Sequence, residues 1–337
     1  MFGMRFLGNH LRSKPYSEKV REMNKDSKIY VAGHAGLVGS ALVRRLREHG
    51  YTNLVCRTHA ELDLERQGET EAFFKMEHPD VVFLAAARVG GIHANNTYPA
   101  EFIYQNLLVQ NNVIHSAWKA GVKELLFLGS SCIYPNDKSV AIKESDFMNG
   151  PLEPTNDAYA VAKIAGIKMC QAFRKQYGLR YLSVMPTNLY GPHDNYHPQN
   201  SHVLPALLRR FHEAKEQKAP SVSLWGTGRP RREFLYSDDM ADAAITVLNE
   251  YEGNDIVNIG CGEDLTISEL ASKVASTVGY EGRIERDPSR PDGTFRKLLD
   301  VSRVQSLGWR PRVSLDEGLK LTYQAMLSEI SDGTWKG

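Results

Sequence analysis

Tyr159 and Lys163 stand four residues apart, Tyr-Ala-Val-Ala-Lys, at the head of an expected helix. That spacing puts phenol and ammonium on one helical face. An adjacent cation is expected to favour phenolate and bring the tyrosine toward neutral pH, where it can move protons. Ser130 ends an apolar strand, in Leu-Gly-Ser-Ser-Cys, and strand carboxyl ends are where ligands sit in parallel sheets. Its hydroxyl could bond the carbonyl that Tyr159 protonates. Cys132, two residues on, could face the same pocket if the strand continues. A thiolate can remove a proton α to a ketone, and an imidazole such as His202 can return one on the opposite face. Taken singly, Cys132 is a small buried residue and His202 a loop histidine.

A second cluster binds rather than reacts. Gly33-His34-Ala35-Gly36-Leu37-Val38-Gly39 separates a short apolar strand from a helix. Glycines there allow a tight turn and close approach to a pyrophosphate at the helix N-terminus. The next strand ends Cys56-Arg57-Thr58-His59. An acid at that point would read a ribose 2′-hydroxyl, whereas Arg57, helped by His59, would attract a 2′-phosphate. The cofactor expected is NADP(H) rather than NAD, with Asp63 and Leu64 placed to meet the adenine.

The elements that must position these groups alternate. Strands are expected at 28–32, 53–57, 80–85, 124–129 and 181–185. Helices are expected at 37–48, 70–77, 99–120 and 159–177. Apolar strands alternating with amphipathic helices predict an α/β fold: a Rossmann doubly wound parallel sheet over 28–190. Beyond Gly191 the alternation lapses into a smaller α+β substrate region. There we expect helices at 204–214, 238–251, 267–278 and 314–330, and strands at 221–224, 232–236 and 256–259. Segment 232–255 is expected to return to the first domain, leaving 191–231 and 256–330 to the second. Residues 1–27 read as a disordered extension. Their basic, acid-poor start is also compatible with a transit peptide.

Composition narrows the class. The chain has 337 residues, 42% apolar and 24% charged, with a net charge of +1. A balance so near neutral favours no nucleic-acid partner. The longest apolar run is strand-sized, so no membrane association is expected. Four scattered cysteines, Cys56, Cys132, Cys170 and Cys261, suggest no disulfide framework and no metal site, and fit a reducing, cytoplasmic compartment.

The glycine loop, strand-end Ser130 and Tyr-x-x-x-Lys, in that order, resemble the extended short-chain dehydrogenase/reductase superfamily. Three further segments are similar to its GDP-L-fucose synthase family: Gly129–Pro135, Met185–Asn195 and Asn200–Pro205. That family epimerises GDP-4-keto-6-deoxy-D-mannose at C3 and C5 and reduces C4 with NADPH. The resemblance implies Cys132 as base, His202 as acid, Tyr159 as proton donor, and Ser130 and Lys163 in support. It places Ala86, Leu128, Gly129, Pro186, Thr187, Asn188, Leu189 and His202 on the cofactor. It places Asn188, Arg210, Trp225, Arg232 and Asp292 on the GDP-sugar. It also implies a homodimer whose two long helices form a four-helix bundle. The sequence departs from the family at Ala35 and His59, where arginine is frequent near the 2′-phosphate, and Arg57 inherits that task. A 4,6-dehydratase would want Asp-Glu where Ser131-Cys132 stands. A 4-epimerase would need no Cys132–His202 pair, and a non-catalytic sensor usually loses the Tyr or the Lys.

Overall fold

The computed structural model describes residues 23–136, 140–289 and 293–337. In its first half the chain runs β1 (Ile29–Ala32), α1 (Leu37–Glu48), β2 (Leu54–Val55), α2 (Gln67–Glu77), β3 (Val81–Leu84), α3 (Ile92–Thr97), α4 (Pro99–Lys119), β4 (Glu124–Leu128), α5 (Asp157–Tyr177) and β5 (Arg180–Pro186). The second half runs β6 (Asn188–Tyr190), α6 (Val203–Glu216), β7 (Ser221–Trp225), β8 (Arg231–Arg232), β9 (Phe234–Tyr236), α7 (Ser237–Glu250), β10 (Val257–Ile259), β11 (Leu265–Thr266), α8 (Ile267–Val278), β12 (Arg283–Asp287), β13 (Arg296–Lys297), α9 (Ser302–Ser306) and α10 (Leu315–Asp332).

Six strands form one parallel sheet in the order β10-β5-β4-β3-β1-β2. Every residue of β1 and β3 is buried, because helices cover both faces. α4 packs between α2 and α5, whereas α1 packs on α7. Arg45 on α1 fastens that second pair, its Nε lying 2.7 Å from Asp242 of α7. The strand order reverses between β1 and β3, so a crevice opens at their carboxyl ends. Local signals set the helix ends. α5 stops at Gly178 in the left-handed conformation, and Thr266 and Glu269 form a capping box on α8.

A second apolar cluster lies among α6, β7, α8 and α10, built on Tyr190, Leu207, Phe211, Leu270, Val274 and Met326. Two expectations are corrected here. The single strand expected at 232–236 is two strands, β8 pairing with β11 and β13, and β9 with β6. Glu233 breaks it: fully buried, its carboxylate accepts from the amides of Gly262 (2.7 Å) and Leu299 (3.0 Å). The strand assigned to the smaller region from 256 onward instead pairs with β5 and closes the main sheet. Within the extension expected to be disordered, Met23 is buried and its amide donates to Asn249 at 3.0 Å. Residues 1–22 of that extension lie outside the described residues. Among the described residues no helix is long and apolar enough to cross a membrane.

Candidate active site

The glycine loop Gly33–Gly39 joins β1 to α1. Gly33 has φ +83°, and a Cβ there would stand 2.7 Å from the Ala86 amide nitrogen, so strand-end Ala86 sits directly beside the loop. A Cβ on Gly39 would run into the Gly33 carbonyl, whereas one on Gly36 would meet nothing closer than 3.5 Å. The first and last glycines are thus required by packing, and the middle one leaves the outer face open. Gly36 caps α1 without a side chain, and the first turn, from Leu37 and Val38, carries no acid. The His34 Nδ1 is buried with no hydrogen-bond partner among the described residues. Open amides, a positive helix end and an unpartnered buried nitrogen fit an anionic cofactor.

Ser130 follows β4, but the strand does not continue. Ser131–Ile133 forms a 3₁₀ turn, and the Ser130 hydroxyl accepts from the Cys132 amide at 3.2 Å. The turn, rather than strand periodicity, brings Ser130 and Cys132 together. Tyr159, in the first turn of α5, hydrogen-bonds Ser130, and its ring meets Phe102 of α4 edge-on at 6.1 Å. Lys163 is buried at 3% exposure and donates to the Leu128 carbonyl at 2.8 Å.

The expected tuning of Tyr159 by Lys163 is corrected. Burial pushes Lys163 down to about 7, because its ammonium loses water and gains one neutral carbonyl. Burial pushes the Tyr159 phenol well above its usual value; the Cys132 thiol adds to this, and the Ser130 hydrogen bond partly offsets it. Tyr159 therefore remains protonated at neutral pH.

Two residues not singled out in the sequence complete the surroundings of Cys132. Asn156 donates its amide to the sulphur at 3.5 Å, and the Lys297 ammonium lies 3.9 Å away. Asn156 immediately precedes α5, three residues before Tyr159. Lys297 comes from β13, 165 residues away, so no local pattern announced it. His202 caps α6 and is exposed as a residue, and desolvation of its ring lowers the imidazole from the usual histidine value. The loop that carries it is tied to the β3 side of the crevice, where Gly91 donates to the Asn200 carbonyl at 2.9 Å.

The remaining candidates fall on both sides of this centre. Leu128 and Gly129 end β4, and the Gly129 amide donates to Val184. Pro186 ends β5, and Leu189 lies in β6. Thr187 and Asn188 both donate to the Glu233 carbonyl, at 3.1 and 2.8 Å. Glu233 thus anchors the segment expected beside the nicotinamide. At the other end Arg57 pairs with Glu77 at 2.5 Å and lies over the Phe73 ring. His59 is 80% exposed, with its Nδ1 3.9 Å from Asp63. Leu64 is buried, and its carbonyl accepts from Asn112.

Arg210 lies over the exposed Trp225 indole, 4.8 Å from the ring centroid. Both line an open groove of about 440 Å³ between α6 and β7. Arg232 is half-buried in β8, with Nη1 donating to the Arg231 carbonyl at 2.8 Å. Asp292 lies outside the described residues.

Residues 29–260 match the NAD dependent epimerase/dehydratase family. The chain is 60% identical over 314 residues to GDP-L-fucose synthase 1 of Arabidopsis thaliana, covering 93% of this chain and 97% of that protein. It is 55% identical to the GDP-L-fucose synthase of Escherichia coli, covering 89% of this chain and 96% of that one. Among solved structures, a GDP-mannoheptose C4 reductase from Campylobacter jejuni with NADP bound superposes with a TM-score of 0.82. The two are 40% identical, over 90% of this chain and 99% of the reductase.

Proposed function

The chain belongs to the NAD dependent epimerase/dehydratase family, and we propose that it epimerises GDP-4-keto-6-deoxy-D-mannose at C3 and C5 and reduces C4 with NADPH, giving GDP-L-fucose. Relatives of that name at 55–60% identity over nearly the whole chain support this substrate. The observation that carries the chemistry is Cys132, set between Asn156 and Lys297 and one turn from the Ser130–Tyr159 pair.

Cys132 is the base. The Lys297 ammonium and the Asn156 amide stand at its sulphur, 3.9 and 3.5 Å away. It removes the proton α to the C4 ketone. Ser130 and Tyr159 donate to the ketone oxygen and stabilise the enolate as negative charge develops. His202 delivers a proton from the opposite face. Both centres flank the same carbonyl, so one base–acid pair serves C3 and C5 in turn, Cys132 releasing its proton to solvent and His202 regaining one between the two rounds. In the last step Tyr159, held protonated by its surroundings, gives its proton to the C4 oxygen. Each such group contributes about 10²–10⁴-fold.

NADPH, when bound, supplies the hydride for C4. The loop from Gly33 to Gly39 would hold its pyrophosphate, Arg57 its 2′-phosphate, Lys163 the nicotinamide ribose, and Pro186 to Leu189 the nicotinamide. The Arg210–Trp225 groove would take the GDP moiety, with Arg232 on the diphosphate. The main sheet thus serves the cofactor and the smaller region the sugar nucleotide. We place the enzyme in the cytoplasm, as a homodimer through α4 and α5, whose exposed Tyr104 and Val161 suit a covered face. Sedimentation as a monomer at micromolar concentration would remove that assembly.

The direct test supplies GDP-4-keto-6-deoxy-D-mannose and NADPH to purified protein and identifies the product. NADPH oxidation matched by GDP-L-fucose is the expected outcome. Stoichiometric NAD retained on the protein, with no NADPH oxidation, would favour a 4-epimerase.

A further inference from the structure

The chain following α10 turns back onto the phosphate loop. The Lys336 ammonium donates to the Ala35 carbonyl at 2.9 Å and to the His193 carbonyl at 3.4 Å. This contact is held from several sides. Tyr196 donates its amide to the Lys336 carbonyl at 3.0 Å, and the amides of Thr334 and Trp335 both donate to the Glu329 carbonyl at 3.0 Å. The Trp335 ring packs near Tyr196 and under the Arg209 guanidinium. Lys336 itself is exposed.

Ala35 and Gly36 share one peptide of the loop. Its N–H side is held by the Gly33 carbonyl at 3.1 Å, and its oxygen by Lys336. The peptide leads directly into α1, whose first turn carries no acid. Asp194 also faces Lys336, but burial pushes its carboxyl up to about 7, so near neutral pH it cancels only part of the lysine's charge.

We infer that Lys336 is a positioning residue for the cofactor's pyrophosphate: it fixes the Ala35–Gly36 peptide and adds a positive charge beside the loop. The inference rests on the dinucleotide reading of Gly33–Gly39. A pyrophosphate is common to NADPH and NADH, so Lys336 strengthens both and does not set the preference between them. That preference belongs to the far end of the cofactor, at Arg57.

The test measures dissociation constants for NADPH and NADH on wild type, Lys336→Met and Lys336→Arg. Lys336→Met should weaken both dinucleotides roughly three- to tenfold, the scale of one partly screened charge near a phosphate. KM for NADPH should rise by the same factor with kcat unchanged, and Lys336→Arg should restore most of the loss. The factor should shrink as salt is raised from about 0.05 to about 0.5 M. Wild-type affinity in Lys336→Met, or a loss confined to NADPH, overturns the inference. A wild-type protein that binds neither dinucleotide overturns the cofactor reading itself.

Discussion

The Lys297 ammonium lies 3.9 Å from the Cys132 sulphur, on a strand remote in sequence from the helix that bears Tyr159. In that half-buried setting the cation stands beside the atom proposed to take the substrate's proton. Asn156 offers its N–H to the same sulphur.

Replacing Lys297 with Met should therefore slow proton abstraction about 10–100-fold and leave C4 reduction of a pre-epimerised ketone less affected. Solvent-deuterium exchange at C3 and C5, compared with NADPH oxidation of the pre-epimerised ketone, reads that split. Wild-type exchange in Lys297→Met would separate Lys297 from the chemistry of Cys132.

The proposed reading gives Arg57 the preference for NADPH, with Glu77 holding its guanidinium at 2.5 Å. Arg57→Glu should raise KM for NADPH at least about tenfold, by replacing attraction with repulsion, while changing NADH use little. Glu77→Gln should lower KM for NADPH, because it releases the guanidinium. Steady-state kinetics with both cofactors decide the matter; an unchanged KM for NADPH in Arg57→Glu would withdraw the assignment.

Lys163 and Asp194 give opposite dependences of stability on pH. Lys163 is pushed down to about 7, so the folded state sheds its proton before the unfolded chain does. Its cost is full below pH 7 and fades as pH rises toward the unfolded lysine value. Asp194 is pushed up to about 7, so its cost appears as pH rises from the unfolded carboxyl value and is full above 7. Lys163→Met should thus raise the melting temperature most on the acid side, and Asp194→Asn most on the alkaline side. Each difference is on the order of a few kcal/mol. Melting curves of the cofactor-free protein between about pH 5 and 10 test both signs; matching pH profiles for variants and wild type would contradict them.

How legible the site was in the sequence depended on distance along the chain. The phosphate loop and the Tyr159–Lys163 pair were readable because one turn of backbone brings their atoms together. The six-stranded sheet was readable because strands covered on both faces must be apolar throughout, as in β1 and β3. Lys297 was not, since its partner Cys132 lies 165 residues away. The split at Glu233 was hidden for the same reason: the amides of Gly262 and Leu299 that stabilise its carboxylate are distant. Spacing placed Lys163 beside Tyr159 but was silent about burial, which reversed the expected shift of Tyr159 and pushed Lys163 down to about 7.

The central claim is that Cys132 starts a proton transfer which Tyr159 finishes in the same site. It is tested most directly by Cys132→Ser in deuterated water, with GDP-4-keto-6-deoxy-D-mannose and NADPH. Mass spectrometry of the product should show no deuterium at C3 or C5, while NADPH oxidation continues on the unepimerised ketone. Wild type should label both carbons and yield GDP-L-fucose. Normal labelling and GDP-L-fucose output from Cys132→Ser would contradict the account.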